Sequence, residues 1–167
     1  STGRADTFGA KLRALGAKDV IGRLDKPSKP LAPQQWAGVV DAVGGETLAS
    51  AMASTCYGGA IASTGVAGGG DLHATVYPLI LRGVRLLGVD STLPWNVDGY
   101  PAERERWEAY RAERLQLWER CGEVLGSDAL RSIHSGDIGL DGVVEASHDI
   151  LEGVVGGRIV VRLKEDD

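Results

Sequence analysis

Metal-ligand spacing is the first thing this sequence lacks. Its two cysteines, Cys56 and Cys121, stand alone with no CxxC pair, and His73, His134 and His148 are scattered singly. Zinc needs three or four such ligands brought together, so no zinc site is expected. Two free thiols point to a reducing compartment, a cytoplasm or organelle interior; a single Cys56–Cys121 disulfide is the alternative. Basic runs and basic-aromatic stripes are also missing, and 18 Lys and Arg against 23 Asp and Glu leave a net charge of −5. Nucleic acid is therefore excluded as a partner. The longest apolar stretches are strand-length, too short to span a membrane. The chain opens on Ser-Thr-Gly-Arg and not on a charged segment with a hydrophobic core, so it is not expected to be secreted. There is no internal repeat and no low-complexity tract.

What is present is a chain of 167 residues, 43% apolar, long enough to bury a core and readable as one domain. Its 24 glycines follow short apolar runs, as in a strand-loop-helix protein whose loops turn tightly or approach a ligand closely.

Apolar spacing predicts a helix over 6–15 with Gly16 as its C-terminal cap, and a brief strand at 19–22. Three prolines between Lys26 and Pro33 make that segment a loop. The run ending at Val43 reads as a strand over 38–43, buried on both faces and stopped by Gly44-Gly45. A helix over 46–55, a strand over 59–64 and a glycine-rich loop over 65–70 follow. Next come a short helix around 78–82 with Pro78 in its first turn and a strand over 84–90. Pro101 opens the longest helix, 102–125, with Trp107, Tyr110, Leu117, Cys121 and Val124 at helical spacing. A strand or extended piece lies near 133–138. A helix over 141–152 has Asp141 as its cap and Val144, Ile150 and Leu151 facing in. The last strand is 158–163. Strands alternating with helices imply an α/β fold with a parallel sheet and no second domain.

Four phrases occur in order at fitting intervals: WAGVVDAVGG at 36–45, YGGAIASTGVAG at 57–68, LILRGVRLLGVDS at 79–91 and VGGRIVV at 155–161. Together they resemble the zinc-free acrylyl-CoA reductase and quinone-oxidoreductase-like branch of the medium-chain dehydrogenase/reductase superfamily. The resemblance covers nearly the whole chain, and 92–135 departs from the pattern. It implies a partial Rossmann-type parallel sheet with flanking helices: residues 1–167 as the C-terminal portion of an NADP(H)-binding domain. The first βαβ unit, with its glycine-rich diphosphate loop, and the N-terminal catalytic domain would lie outside this sequence. No GxGxxG stands between a strand and a helix.

By resemblance, Ser1, Thr2 and Arg4 receive the adenosine 2′-phosphate. The chemistry agrees, since two hydroxyls and a guanidinium suit a phosphate dianion, whereas an acidic residue would hold a free ribose hydroxyl. A polar N-terminus with one arginine is also commonplace. Val43-Gly44, Thr64-Gly65-Val66-Ala67 and Asp90-Ser91 end successive strands, and the resemblance places the nicotinamide ribose and carboxamide there, held through backbone groups. Glycines after strands also simply make turns. Arg158 matches the family's late Gly-Arg pair that closes over the cofactor; alone it reads as a surface residue.

The implied activity is NADPH-dependent reduction of an activated C=C bond in an acrylyl-CoA-like thioester or a quinone, with no catalysis by this chain alone. The proton donor is open among Tyr57, Tyr77, Tyr100 and Asp90. The partner implied is the missing N-terminal half, in the same or another chain. A homo-oligomer through 72–91 is implied as well, where Val76, Leu79, Ile80, Leu81, Leu86 and Leu87 form an apolar patch; burial inside one monomer explains many of these equally. The alternative is a non-catalytic structural or assembly subunit of a larger complex. On the missing-half reading, 19–22 and 38–43 flank a gap that two further parallel strands fill.

Overall fold

The computed structural model describes residues 3–91 and 104–163, apart from the side chains of 104–107, 109 and 110. They fall into two compact units, one built on Ile21–Asp98 and the other on Arg4–Val20 with Gly99–Asp167.

The first unit holds β1 (Trp36–Asp41), α2 (Gly45–Ser54), β2 (Thr55–Ser63), α3 (Tyr77–Arg82) and β3 (Arg85–Gly88); α1 (Ala5–Ala14) precedes them in the chain and belongs to the second unit. The strands form a parallel sheet in the order β1-β2-β3. Right-handed helical crossovers are the usual way to join such strands, and α2 and α3 occupy the two connections. The regular ladder runs from Gly38↔Ala60 to Asp41↔Ser63, with an irregularity between Trp36 and Gly38. The expected strand start at 59 thus marks the regular ladder, and 55–58 is an extension that the glycine pair obscures. Pro78 sits in the first turn of α3, as expected. Arg82, at the end of α3, donates to the carbonyls of Ala53 (2.9 Å), Thr55 (3.2 Å) and Ala32 (2.7 Å), tying the α2–β2 junction to the proline-rich loop.

Strand register separates the two faces of this sheet. Val39, Ile61 and Leu86 stand in one row across the three strands, and Val40, Ala62 and Leu87 in the next. The first row packs with Leu48 and Met52 of α2, Leu79 of α3 and Val84 to make the core. The second row is open: Val40 is 81% exposed and Leu87 50%. The expectation that 38–43 is buried on both faces is therefore corrected. Its continuous apolar run encodes two covered faces, and within this unit α2 and α3 cover one. The patch at 72–91 divides similarly. Leu79 and Leu86 pack on the core, while Val76, Ile80, Leu81 and Leu87 are exposed.

Residues 19–22 form no strand. Four residues make a strand only when a ladder satisfies them, and none of the described strands pairs with this segment.

The second unit contains α1, α4 (Arg104–Ile133), β4 (His134–Ile138), a 3₁₀ turn (Leu140–Gly142), α5 (Val143–Leu151) and β5 (Arg158–Val161). Gly126, at φ 61° and ψ 164°, breaks α4 into two helical stretches, and the first ends where the sequence spacing predicts. That left-handed conformation favours glycine, which has no Cβ to clash. β4 and β5 pair in parallel as a separate two-stranded sheet. The α/β fold with parallel pairing is as expected; among the described residues its strands fall into two sheets, because alternation records crossovers and not which strands share a ladder.

Two expectations for α5 are corrected. Asp141 lies in the 3₁₀ turn and caps nothing; the N-cap is Gly142, without a side-chain bond. Val144, Ile150 and Leu151 do not face in, Leu151 being 85% exposed. Leu117, Cys121 and Val124 of α4 are exposed too. Amphipathic spacing specifies an apolar face, but a two-stranded sheet is too small to cover both helices. Among the described residues no helix is long and apolar enough to cross a membrane.

Candidate functional site

The carboxyl ends of β1, β2 and β3 lie side by side, which in an open parallel sheet is where ligands bind. The loops that leave these ends are stitched together through their backbones. Thr64 N–H donates to the Asp41 carbonyl at 2.8 Å, Ala67 N–H to Ala42 at 3.4 Å and Gly68 N–H to Val43 at 2.7 Å. Val89 N–H donates to the Ser63 carbonyl at 2.9 Å, setting Asp90 and Ser91 at the end of the third strand.

The turn after β1 is organised by Asp41, whose buried carboxylate accepts the Gly44 N–H at 2.8 Å. Gly44 has φ 72°, and a Cβ on it would lie 2.5 Å from the Gly69 carbonyl oxygen. A Cβ on Gly65 would lie 2.5 Å from the Ala42 carbonyl oxygen. Both glycines are explained by the close approach of the two loops. That approach leaves a crevice edge of backbone groups and small side chains at Gly65, Ala67, Gly68 and Gly69, with Val66 and Ala67 exposed. The edge lies where an open parallel sheet takes its ligand, with the N–H groups of Gly44, Thr64, Ala67 and Gly68 already bonded within the loops.

The structure brings Val43, Gly44, Thr64, Gly65, Val66, Ala67, Asp90 and Ser91 to this one edge. Arg4 and Arg158 lie in the other unit. Arg4 occupies the N-cap of α1; its Nη1 donates to the carbonyls of Gly153 (2.7 Å) and Val155 (3.3 Å), and its guanidinium lies 5.2 Å from the Phe8 ring centroid. Arg158 opens β5, and its Nη1 donates to the Gly157 carbonyl at 3.0 Å. Ser1 and Thr2 fall outside the described residues. Sequence reasoning missed Asp41, Gly68 and Gly69. The signal for Asp41 was an acid at a strand end three residues before a glycine, the spacing at which a carboxylate can accept that N–H.

A separate cavity of about 220 Å³ is lined by Lys26, Lys29, Met52, His73 and Pro78 among others, and includes none of the strand-end residues. Among the described residues no group of three or more His, Cys, Asp or Glu could hold a metal ion.

No family model matches the chain. It is 41% identical over 156 residues to a Bacillus subtilis protein named as quinone oxidoreductase YhfP, covering 91% of this chain and 42% of that one. The crystal structure of YhfP with NAD bound superposes with a TM-score of 0.72. Acrylyl-CoA reductase AcuI of Ruegeria pomeroyi is 39% identical over 163 residues, covering 96% of this chain and 44% of the relative. The crystal structure of Escherichia coli K-12 YhdH with bound NADPH has a TM-score of 0.79 at 34% identity, over 98% of this chain and 46% of that one. The chain thus spans less than half the length of the relatives it matches.

Proposed function

We propose a function from the premise that this chain belongs to the acrylyl-CoA reductase and quinone-oxidoreductase-like branch of the medium-chain dehydrogenase/reductase superfamily. It supplies the C-terminal portion of an NADP(H)-binding domain in an oxidoreductase that reduces an activated C=C bond of an acrylyl-CoA-like thioester or a quinone. The observation that carries this reading is the edge at which β1, β2 and β3 end together, with their loops locked by Asp41, Gly44 and Gly65.

When bound, a reduced nicotinamide supplies a hydride from C4. The residues of this chain hold it in place. Backbone groups at Val43, Gly44, Thr64–Ala67 and Asp90–Ser91 receive the ribose and carboxamide, so the ring can face substrate across the crevice. Because these groups are fixed by loop-to-loop hydrogen bonds, orienting the cofactor costs little reorganisation. Ser1, Thr2 and Arg4 receive the adenosine 2′-phosphate, and Arg158 is the candidate for the family's late Gly-Arg pair. On an α,β-unsaturated thioester that hydride would be taken up at the β-carbon and a proton next to the carbonyl.

The remainder of the enzyme supplies the diphosphate loop and the substrate domain, and packs on the open row of Val40 and Leu87. A second copy of the chain meets the exposed side chains of Val76, Ile80 and Leu81.

The test is to purify the protein that carries this chain as it occurs in its cell. NADPH loss is then followed with acrylyl-CoA and with 1,4-benzoquinone. One NADPH consumed per substrate reduced is the expected result. A pure protein that consumes no NADPH with either substrate overturns the enzyme reading in favour of an assembly subunit.

A further inference from the structure

We propose that Phe8 and Gly156 are positioning residues that hold Arg4 in the orientation in which it reads the adenosine 2′-phosphate. The proposal rests on the assignment of Arg4 above and adds what makes that assignment work, in residues that never touch the cofactor.

An arginine has about 2 kcal/mol of rotamer entropy to lose before it can present a fixed fork to a phosphate. Arg4 is held by contacts that reach across 149 and 151 residues of sequence, to the Gly153 and Val155 carbonyls. One face of its guanidinium rests on Phe8, a helical turn further along α1. A guanidinium carries five donors, and the contacts to Gly153 and Val155 both run through Nη1, which sets its plane.

The end of the loop that carries these carbonyls is fixed from the other side. Ser135 Oγ of β4 donates to the Gly156 carbonyl at 2.7 Å. A Cβ on Gly157 would run into the Ile133 carbonyl and Ser135 Oγ, so that residue is pressed against the β4 side. Gly156 lies against Phe8 with no room for a methyl group: its Cβ would overlap three ring carbons. The loop Gly153–Gly157 is therefore packed between β4 and Phe8, and Arg4 is bound to both the loop and the ring. Adding a methyl at 156 must displace either the ring or the loop, and each is a support of Arg4. If Arg4 reads only the 2′-phosphate, the damage falls on NADPH and spares NADH.

The experiment measures Kd for NADPH and NADH with the full-length protein and its Arg4→Ala, Phe8→Ala, Gly156→Ala and Phe8→Ala/Gly156→Ala variants. Arg4→Ala is expected to weaken NADPH by about tenfold or more and leave NADH unchanged. Gly156→Ala and Phe8→Ala are each expected to weaken NADPH by about threefold to tenfold, again sparing NADH. In the Phe8→Ala background, where the ring is gone, Gly156→Ala has no further effect. If Gly156→Ala fails to fold, Phe8→Ala carries the test alone. An effect of Gly156→Ala and Phe8→Ala on both cofactors alike, or on neither while Arg4→Ala weakens NADPH, overturns the positioning role. An Arg4→Ala variant with unchanged preference overturns the assignment of Arg4 itself, a separate and recognisable result.

Discussion

Gly65 and Ala42 approach so closely that a methyl group on the glycine would lie 2.5 Å from the alanine carbonyl oxygen. This contact seats the loop after β2 against the loop after β1 and shapes the crevice edge. Gly65→Ala should therefore cost about 1–3 kcal/mol of stability through overpacking against backbone, and should raise the Kd for nicotinamide cofactor. Gly70→Ala is the control, since nothing lies within 4 Å of its Cβ position. Thermal unfolding and cofactor titration check both; equal behaviour of the two variants would contradict the packing account.

Asp41 sits beneath the same turn, accepting the Gly44 N–H at 2.8 Å in a buried setting. Asp41→Ala leaves that N–H without its partner and should cost about 1–3 kcal/mol. Asp41→Asn keeps an acceptor oxygen and should cost less. Denaturant unfolding measures both; an alanine variant as stable as wild type would mean the turn is held elsewhere.

Much of this was legible in the sequence, and the failures share a cause. Gly126 and Pro78 are punctuation that acts locally, so the end of the long helix and the start of α3 could be placed from residue type alone. Val39 and Val40 are alike in sequence, yet one packs on Ile61 and the other faces solvent. Composition reports what a strand can bury, while coverage depends on elements from elsewhere in the fold. Leu151 shows the same limit on α5. Which strands share a sheet was not readable, because β4 and β5 are joined by the same kind of helical crossover as β1 and β2. The strand ends of the candidate site were readable, since glycine after an apolar run marks them. Asp41 was not, because its role is a hydrogen bond and not a pattern.

The β4–β5 sheet carries a pH-dependent contact. Hydrogen bonds from His134 (3.2 Å) and Arg162 (3.2 Å) hold the Asp137 carboxyl below its ordinary value of 3.8. A carboxyl whose pKa is lower in the folded state stabilises that state above its unfolded pKa, and the stabilisation is lost as pH falls through the folded value. Asp137→Asn should thus lower the melting temperature at neutral pH, with the difference from wild type shrinking to nothing in acid. A difference that stays constant from neutral to strongly acidic pH would show that the charge at Asp137 plays no part.

The most direct measurement of the central claim follows the hydride itself. The full-length protein is given NADPH carrying deuterium at both C4 positions together with acrylyl-CoA, and the propionyl product is analysed by mass and NMR. The account predicts one deuterium per product, on the β-carbon, with the α-carbon proton drawn from solvent. Product formed without deuterium, or deuterium on the α-carbon, would contradict hydride transfer from a nicotinamide held at the ends of β1, β2 and β3.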